Sequence, residues 1–256
     1  MVKVFRNLRQ SLFAGGKFSN YLVYAVGEII LVVVGILIAL AINNSNQNRQ
    51  KQEKEQIYLA GLRDEFHASK LKLEELIRIN RQSYEGARTI IGYITDNNLT
   101  PGEKEFSELL YTTFAFDLAF NPNNSLLNEM ISSGSLKDLT NPDLRIRLTN
   151  WISTLDDIAK QEHELGLQRE KVLDLLRGEE YSLRTILEKA DVLPDLLDLE
   201  KGVGTSSNLE LLNSSRFENN VLMFILSSYA TETAHYQPLM QELGGILVLI
   251  ESEIDH

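Results

Sequence analysis

Few residues in this sequence have the type and spacing to do chemistry. Glu28 is a lone acid inside "YLVYAVGEIILVVVGILIALAINN", residues 21 to 44. A carboxylate in so apolar a run is costly if it faces lipid, and usually meets protein or water, where it can pack, relay protons or attract cations. Two acid-x-x-His pairs, Asp64/His67 and Glu232/His235, fall on helical patterns. Spacing i, i+3 puts both side chains on one helix face, as in carboxylate-bridged metal bundles, which need two further inward Glu residues. With 4 histidines and 36 acids in 256 residues, pairs of this kind arise by chance, so these four are weak metal candidates. In Glu162-His163-Glu164 adjacent side chains point to different faces, which makes a poor cage. There is no cysteine, hence no disulfide, thiolate ligand or Cys nucleophile. No serine sits in a G-x-S-x-G elbow, and "KGVGTSSN" lacks the ending of a phosphate-binding loop. The expectation is a non-catalytic protein without a cofactor.

Residues 21–42 set the context for Glu28. Twenty-two residues at helical rise reach about 33 Å, enough for the roughly 30 Å hydrocarbon core. Tyr21 and Tyr24 suit the headgroup level at one end, and Asn43, Asn44, Ser45 and Asn46 mark a polar exit. Ala39-Leu40-Ala41 mimics a signal cleavage site, but the apolar run is longer than the about 7 to 15 residues of a signal peptide, so an anchor is expected. Glu28 lies about 10 Å into such a span. At 100° per residue Gly35 and Ala39 sit about 20° to either side of it. Gly35-x-x-x-Ala39 lets helices approach closely, so Glu28, Gly35 and Ala39 form the expected seam for self-association.

The leader, residues 1–20, carries Lys3, Arg6, Arg9 and Lys17 and no acid. By the positive-inside rule it stays in the cytoplasm, and the rest lies beyond a bacterial inner membrane, in the periplasm. Val4, Phe5, Leu8 and Leu12 share a helical face, so the leader can lie on the inner leaflet with its bases on anionic lipid. Residues 43–256 carry a net charge of −14, which repels nucleic acid.

Beyond the span the pattern is helical throughout. Nothing breaks a helix from Asn46 to about Ile94, and Leu62, Phe66, Ser69, Leu73, Leu76, Asn80, Tyr84, Ala87, Ile91 and Ile94 step by threes and fours. The transmembrane helix is expected to run on into this one. Thr100, Pro101 and Glu103 suggest a capping box opening a helix to Phe120, with Phe114, Phe116 and Phe120 in the core. A short helix from Ser125 to Ser132 ends at Gly134, and Asn141-Pro142 caps a long helix to about Arg177. Residues 191–215 read as a connector, and a last helix runs from about Arg216 to Ile254. Its apolar part after Gly244-Gly245 is too short to cross a bilayer. The fold class is therefore all-α: one N-terminal transmembrane helix continuing into a bundle of four or so long helices.

Two stretches carry a family resemblance. "GKFSNYLVYAVGEIILVVVGILIALAINNSNQ" and "FNPNNSLLNEMISSGSLKDLTNPDLRIRLTNW" resemble the DUF6090 family, uncharacterised single-span proteins of Bacteroidota. Ala41 and Ser45 depart from the pattern, where Gln and Trp are expected. The resemblance implies that Glu28 and Ser132 to Gly134 belong to the family pattern, and it implies no activity. Three functions remain open at this level. The first is a homo-oligomeric membrane-anchored scaffold or accessory protein whose bundle binds another membrane or periplasmic protein. The second is an ion or proton channel using Glu28, and the third a ligand-sensing bundle.

Overall fold

The computed structural model describes residues 18–96, 99–192 and 206–254. The basic leader with Lys3, Arg6, Arg9 and Lys17 lies outside the described residues, as does most of the 191–215 connector. The described chain is all-helical, with no strand among the described residues. It divides into two compact units, Met1–Gln56 and Ile57–His256.

Helix α1, Phe18–Thr95, runs unbroken through 78 residues, as the absence of proline predicts. In its first part an 18-residue window has a mean hydropathy of 2.9 and no buried residue. Leu31 is 76% exposed, and the large apolar side chains from Leu22 to Ile42 share that condition. This is one helix long and apolar enough to cross a membrane.

From Leu59 onward the same helix shows a different face. Leu59, Leu62, Phe66, Ser69, Leu73, Leu76, Asn80, Tyr84 and Ala87 are buried, which is the stepping seen in the sequence. The seam ends on Ile90 rather than Ile91 or Ile94, both only partly buried. Asn80 is fully buried and satisfied: its amide donates to the Ser228 carbonyl at 3.0 Å and its Oδ1 accepts from the Ser228 hydroxyl at 2.6 Å. Two glycines allow close approach here. A Cβ at Gly61 would collide with Leu126 Cδ2, and one at Gly86 with Thr113 Oγ1.

Helix α2 spans Glu103–Phe114, shorter than the expected Pro101 to Phe120. The capping box does not form, because no side chain caps its start. The Glu103 carboxylate instead accepts from Ser207 Oγ at 2.5 Å and from the Asn208 amide at 3.1 Å. The far end stops because Arg169 takes the Phe114 and Ala115 carbonyls at 2.8 and 3.2 Å. Phe114 is core, whereas Phe116 is 52% exposed, contrary to expectation, because the chain has left the helix by then.

Helix α3, Ser125–Ser133, ends at Gly134 with φ 72°, a left-handed cap that glycine adopts without strain. Helix α4, Pro142–Leu176, starts as expected: Asn141 accepts from the Asp143 and Leu144 amides, with Pro142 at its first position. A short α5, Leu183–Lys189, is capped by Ser182 and packs on α2. Helices α6, Ser215–Thr231, and α7, Gln237–Glu253, are joined through a π-helical turn, Glu232–Tyr236. Helix α4 packs along α6 and α7. Aromatic pairs tie the layers together, Phe66 with Trp151 at 5.2 Å and Phe114 with Phe224 at 5.1 Å between ring centroids. Ile246, Leu247 and Ile250 after Gly244-Gly245 are buried in this core.

Candidate functional site

The stretch between α2 and α3, residues 115–124, has no helical ladder, and neighbouring helices hold several of its polar groups. From α1, Lys72 Nζ donates to the Asn121 carbonyl at 2.9 Å and to Asn123 Oδ1 at 2.5 Å. The Asn123 amide donates to Ser69 Oγ at 2.8 Å, and the Glu65 carboxylate accepts from the Leu126 and Leu127 amides at 2.7 and 3.3 Å. Glu65 thus supplies the anionic cap of α3 from another helix, where free N–H groups and the helix dipole favour a carboxylate. From α4, the buried Trp151 indole donates to Asn124 Oδ1 at 3.1 Å. "NPNNSLLNE" is therefore a structural lock.

Beside this segment the chain forms a groove of about 450 Å³ against α4, lined by Leu118, Phe120, Glu162, Leu167 and Arg169 among others. Glu162 is only 7% exposed. Its Oε1 accepts from the Phe120 amide and from the Tyr236 hydroxyl, each at 2.8 Å. The π-helical turn carries Tyr236 at its last position, and such turns often occur at functional sites. Burial pushes the Glu162 carboxyl above its ordinary value, with Asp117 adding to the shift and the two hydrogen bonds opposing it. Burial, followed by Glu162, holds the Tyr236 phenol far above its usual range, so it stays a donor.

The residues singled out in the sequence are dispersed. Glu28, Gly35 and Ala39 are all exposed on α1, and nothing lies within 4 Å of where a Gly35 Cβ would stand. Glu232 is buried and ion-pairs with Arg81 of α1, whose guanidinium it holds above its ordinary range through their hydrogen bond. His67 pairs with Glu251 of α7 at 3.2 Å, and Asp64 with Arg63 at 3.1 Å. His235 is half-buried at the π turn. Each acid-x-x-His pair thus has its carboxylate engaged by an arginine. Among the described residues no group of three or more His, Asp or Glu is placed to hold a metal ion.

In the sequence Glu162 enters only within Glu162-His163-Glu164, a poor metal cage, although its spacing carries a second signal. The α4 seam steps through Trp151, Leu155 and Ile158, and the next two stops are positions 162 and 165. An acid at a seam position marks a buried carboxyl needing donors. The donors themselves, Tyr236 and the Phe120 amide, come from distant segments and leave no local trace.

The described residues define a class: all-helical, with one exposed apolar helical segment near the N-terminus and a helical unit built around a buried core. The chain belongs to the DUF6090 family, a family of unknown function, whose model matches residues 28–156. That stretch includes Glu28, the buried seam of α1 and the lock at "NPNN", but stops short of Glu162. No curated protein and no solved structure matches the chain.

Proposed function

We propose that this protein is a non-catalytic, membrane-anchored helical scaffold or accessory subunit. Residues 21–42 of α1 cross a bacterial inner membrane with the basic leader in the cytoplasm. The Glu28, Gly35 and Ala39 face joins copies of the chain, and the acidic bundle beyond the membrane binds a protein partner. The observation that carries this reading is the run of exposed apolar side chains from Leu22 to Ile42, with mean hydropathy 2.9 in its 18-residue window. Such a surface is tolerated in lipid and costs about 25 cal/mol per Å² in water. Alkaline carbonate extraction of cell membranes tests the anchor: the protein stays in the pellet, whereas release into the supernatant would contradict it. Crosslinking in native membranes followed by affinity capture tests the scaffold. Recovery of monomer alone would refute it.

A second reading is favoured by Glu28 itself, an exposed carboxylate on the apolar segment beside Ala25, Ile29, Val32 and Val33. Several spans sharing an axis would gather these acids into a ring that selects cations or relays protons. Proton flux in proteoliposomes that Glu28→Gln reduces would favour this channel reading. Wild-type silence across voltage and pH would exclude it.

A further inference from the structure

We propose that the groove between α4 and the 115–121 segment binds a small organic cation, an ammonium or guanidinium on a short apolar arm, with Glu162 as its counter-ion. Both donors to Glu162, the Phe120 amide and the Tyr236 hydroxyl, converge on Oε1. Oε2 has no hydrogen-bond partner among the described residues, although the residue is only 7% exposed and lines the groove. Oε2 is not a fully buried atom, so on a largely buried side chain that lines the groove it is an accessible acceptor, and a cationic donor there relieves the burial penalty on the charge.

The other charged groups of the groove select the sign of the ligand. Arg169 is committed, with Nε on the Phe114 carbonyl at 2.8 Å, Nη2 on the Ala115 carbonyl at 3.2 Å and Nη1 on Glu170 at 3.0 Å. Glu170 also pairs with Arg177 at 2.6 Å. Asp117 is 74% exposed at the side chain and stands 4.0 Å from Arg169. The field left over is negative, which favours a cation and repels phosphate or carboxylate ligands. Leu118, Phe120 and Leu167 supply an apolar wall, and about 450 Å³ falls within the range of small-ligand sites. Gly166 keeps the wall open, since a Cβ there would have Asp117 Oδ1 as its nearest neighbour at 3.8 Å.

The test is calorimetric titration of the full chain in lipid nanodiscs with n-butylamine and with agmatine, each corrected by titration into empty nanodiscs. n-Butanol serves as the uncharged control. The expected result is saturable binding at one site per chain, with n-butanol at least tenfold weaker. Glu162→Gln keeps an acceptor for Tyr236 and Phe120 and weakens the amines at least tenfold. Gly166→Leu fills the groove and abolishes binding while leaving Glu162 in place, so it decides the matter if the first variant folds poorly. No saturable binding by the wild type, or wild-type affinity in a folded Gly166→Leu protein, overturns the proposal.

Discussion

Replacing Asn124 with Ala tests the lock at "NPNN" most sharply. Asn124 Oδ1 accepts the Trp151 indole N–H at 3.1 Å, and Trp151 has no exposed surface. Asn124 stands at the cap position of α3 but makes no side-chain capping bond, so the loss is not a capping loss. Its removal strands a buried donor, a cost of about 1–3 kcal/mol. At about 2–4 °C per kcal/mol for a domain of this size, the middle of that range lowers Tm by about 4–8 °C. Trp151→Phe removes the donor while keeping a ring against Phe66 and Phe120. In that background Asn124→Ala should cost almost nothing, giving a coupling of about 1–3 kcal/mol between the two positions. Circular dichroism melts and urea titrations of the four proteins in mild detergent measure the cycle. Strict additivity, with coupling below about 0.5 kcal/mol, would refute the assignment of Asn124 as the partner of the indole.

Five further outcomes follow from particular groups. Burial raises the Glu162 carboxyl from its ordinary value of 4.5, so between that value and the raised native one the native state binds more proton than the unfolded chain. Its contribution is therefore most favourable below about pH 4.5 and is lost as pH rises through the raised native value. Glu162→Gln should accordingly gain stability over the wild type between pH 5 and pH 8 in urea titrations, and a relative loss at the higher pH would contradict this. Thr113 Oγ1 is a buried hydroxyl with no hydrogen-bond partner among the described residues, so Thr113→Val should raise stability by about 1 kcal/mol in the same assay. Gly86→Ala presses a methyl against that hydroxyl and should cost about 1–3 kcal/mol. On the proposed anchor reading, a single Leu31→Arg costs about 3 kcal/mol against apolar residues worth roughly −0.3 to −0.6 each, so the variant should stay in the membrane fraction. Leu31→Arg with Val34→Arg roughly doubles that cost and should shift much of the protein into the carbonate-soluble fraction.

Much of the fold was legible because its signals are local. Absence of proline through residues 18–95 sufficed for α1, Asn141-Pro142 for the start of α4, and Gly134 for the end of α3. Seam spacing identified the buried face of α1 down to the polar Ser69 and Asn80. Failures came where a distant group won over a local one. Glu103 could have capped its own helix, but Ser207 and Asn208 take its carboxylate. Arg169 ends α2 at Phe114 by binding carbonyls more than fifty residues away, which no reading of residues 101–120 reveals. The π-helical turn belongs to the same kind, since 231–237 reads as ordinary helix. The groove depends on all of these non-local events at once. The proposed face of Glu28, Gly35 and Ala39 is the reverse case: it rests on 100° spacing alone, and all three residues are exposed in this structure.

The most direct test of the central claim is disulfide trapping inside the native membrane, which a chain without cysteine permits cleanly. Gly35→Cys and Ala39→Cys lie on the Glu28 face, whereas Leu37→Cys lies about 180° from Glu28 on the wheel. Under mild oxidation in isolated membranes, the account predicts covalent dimers for the first two and monomer for Leu37→Cys. Monomer at all three positions, or equal trapping at Leu37, would contradict self-association through this face.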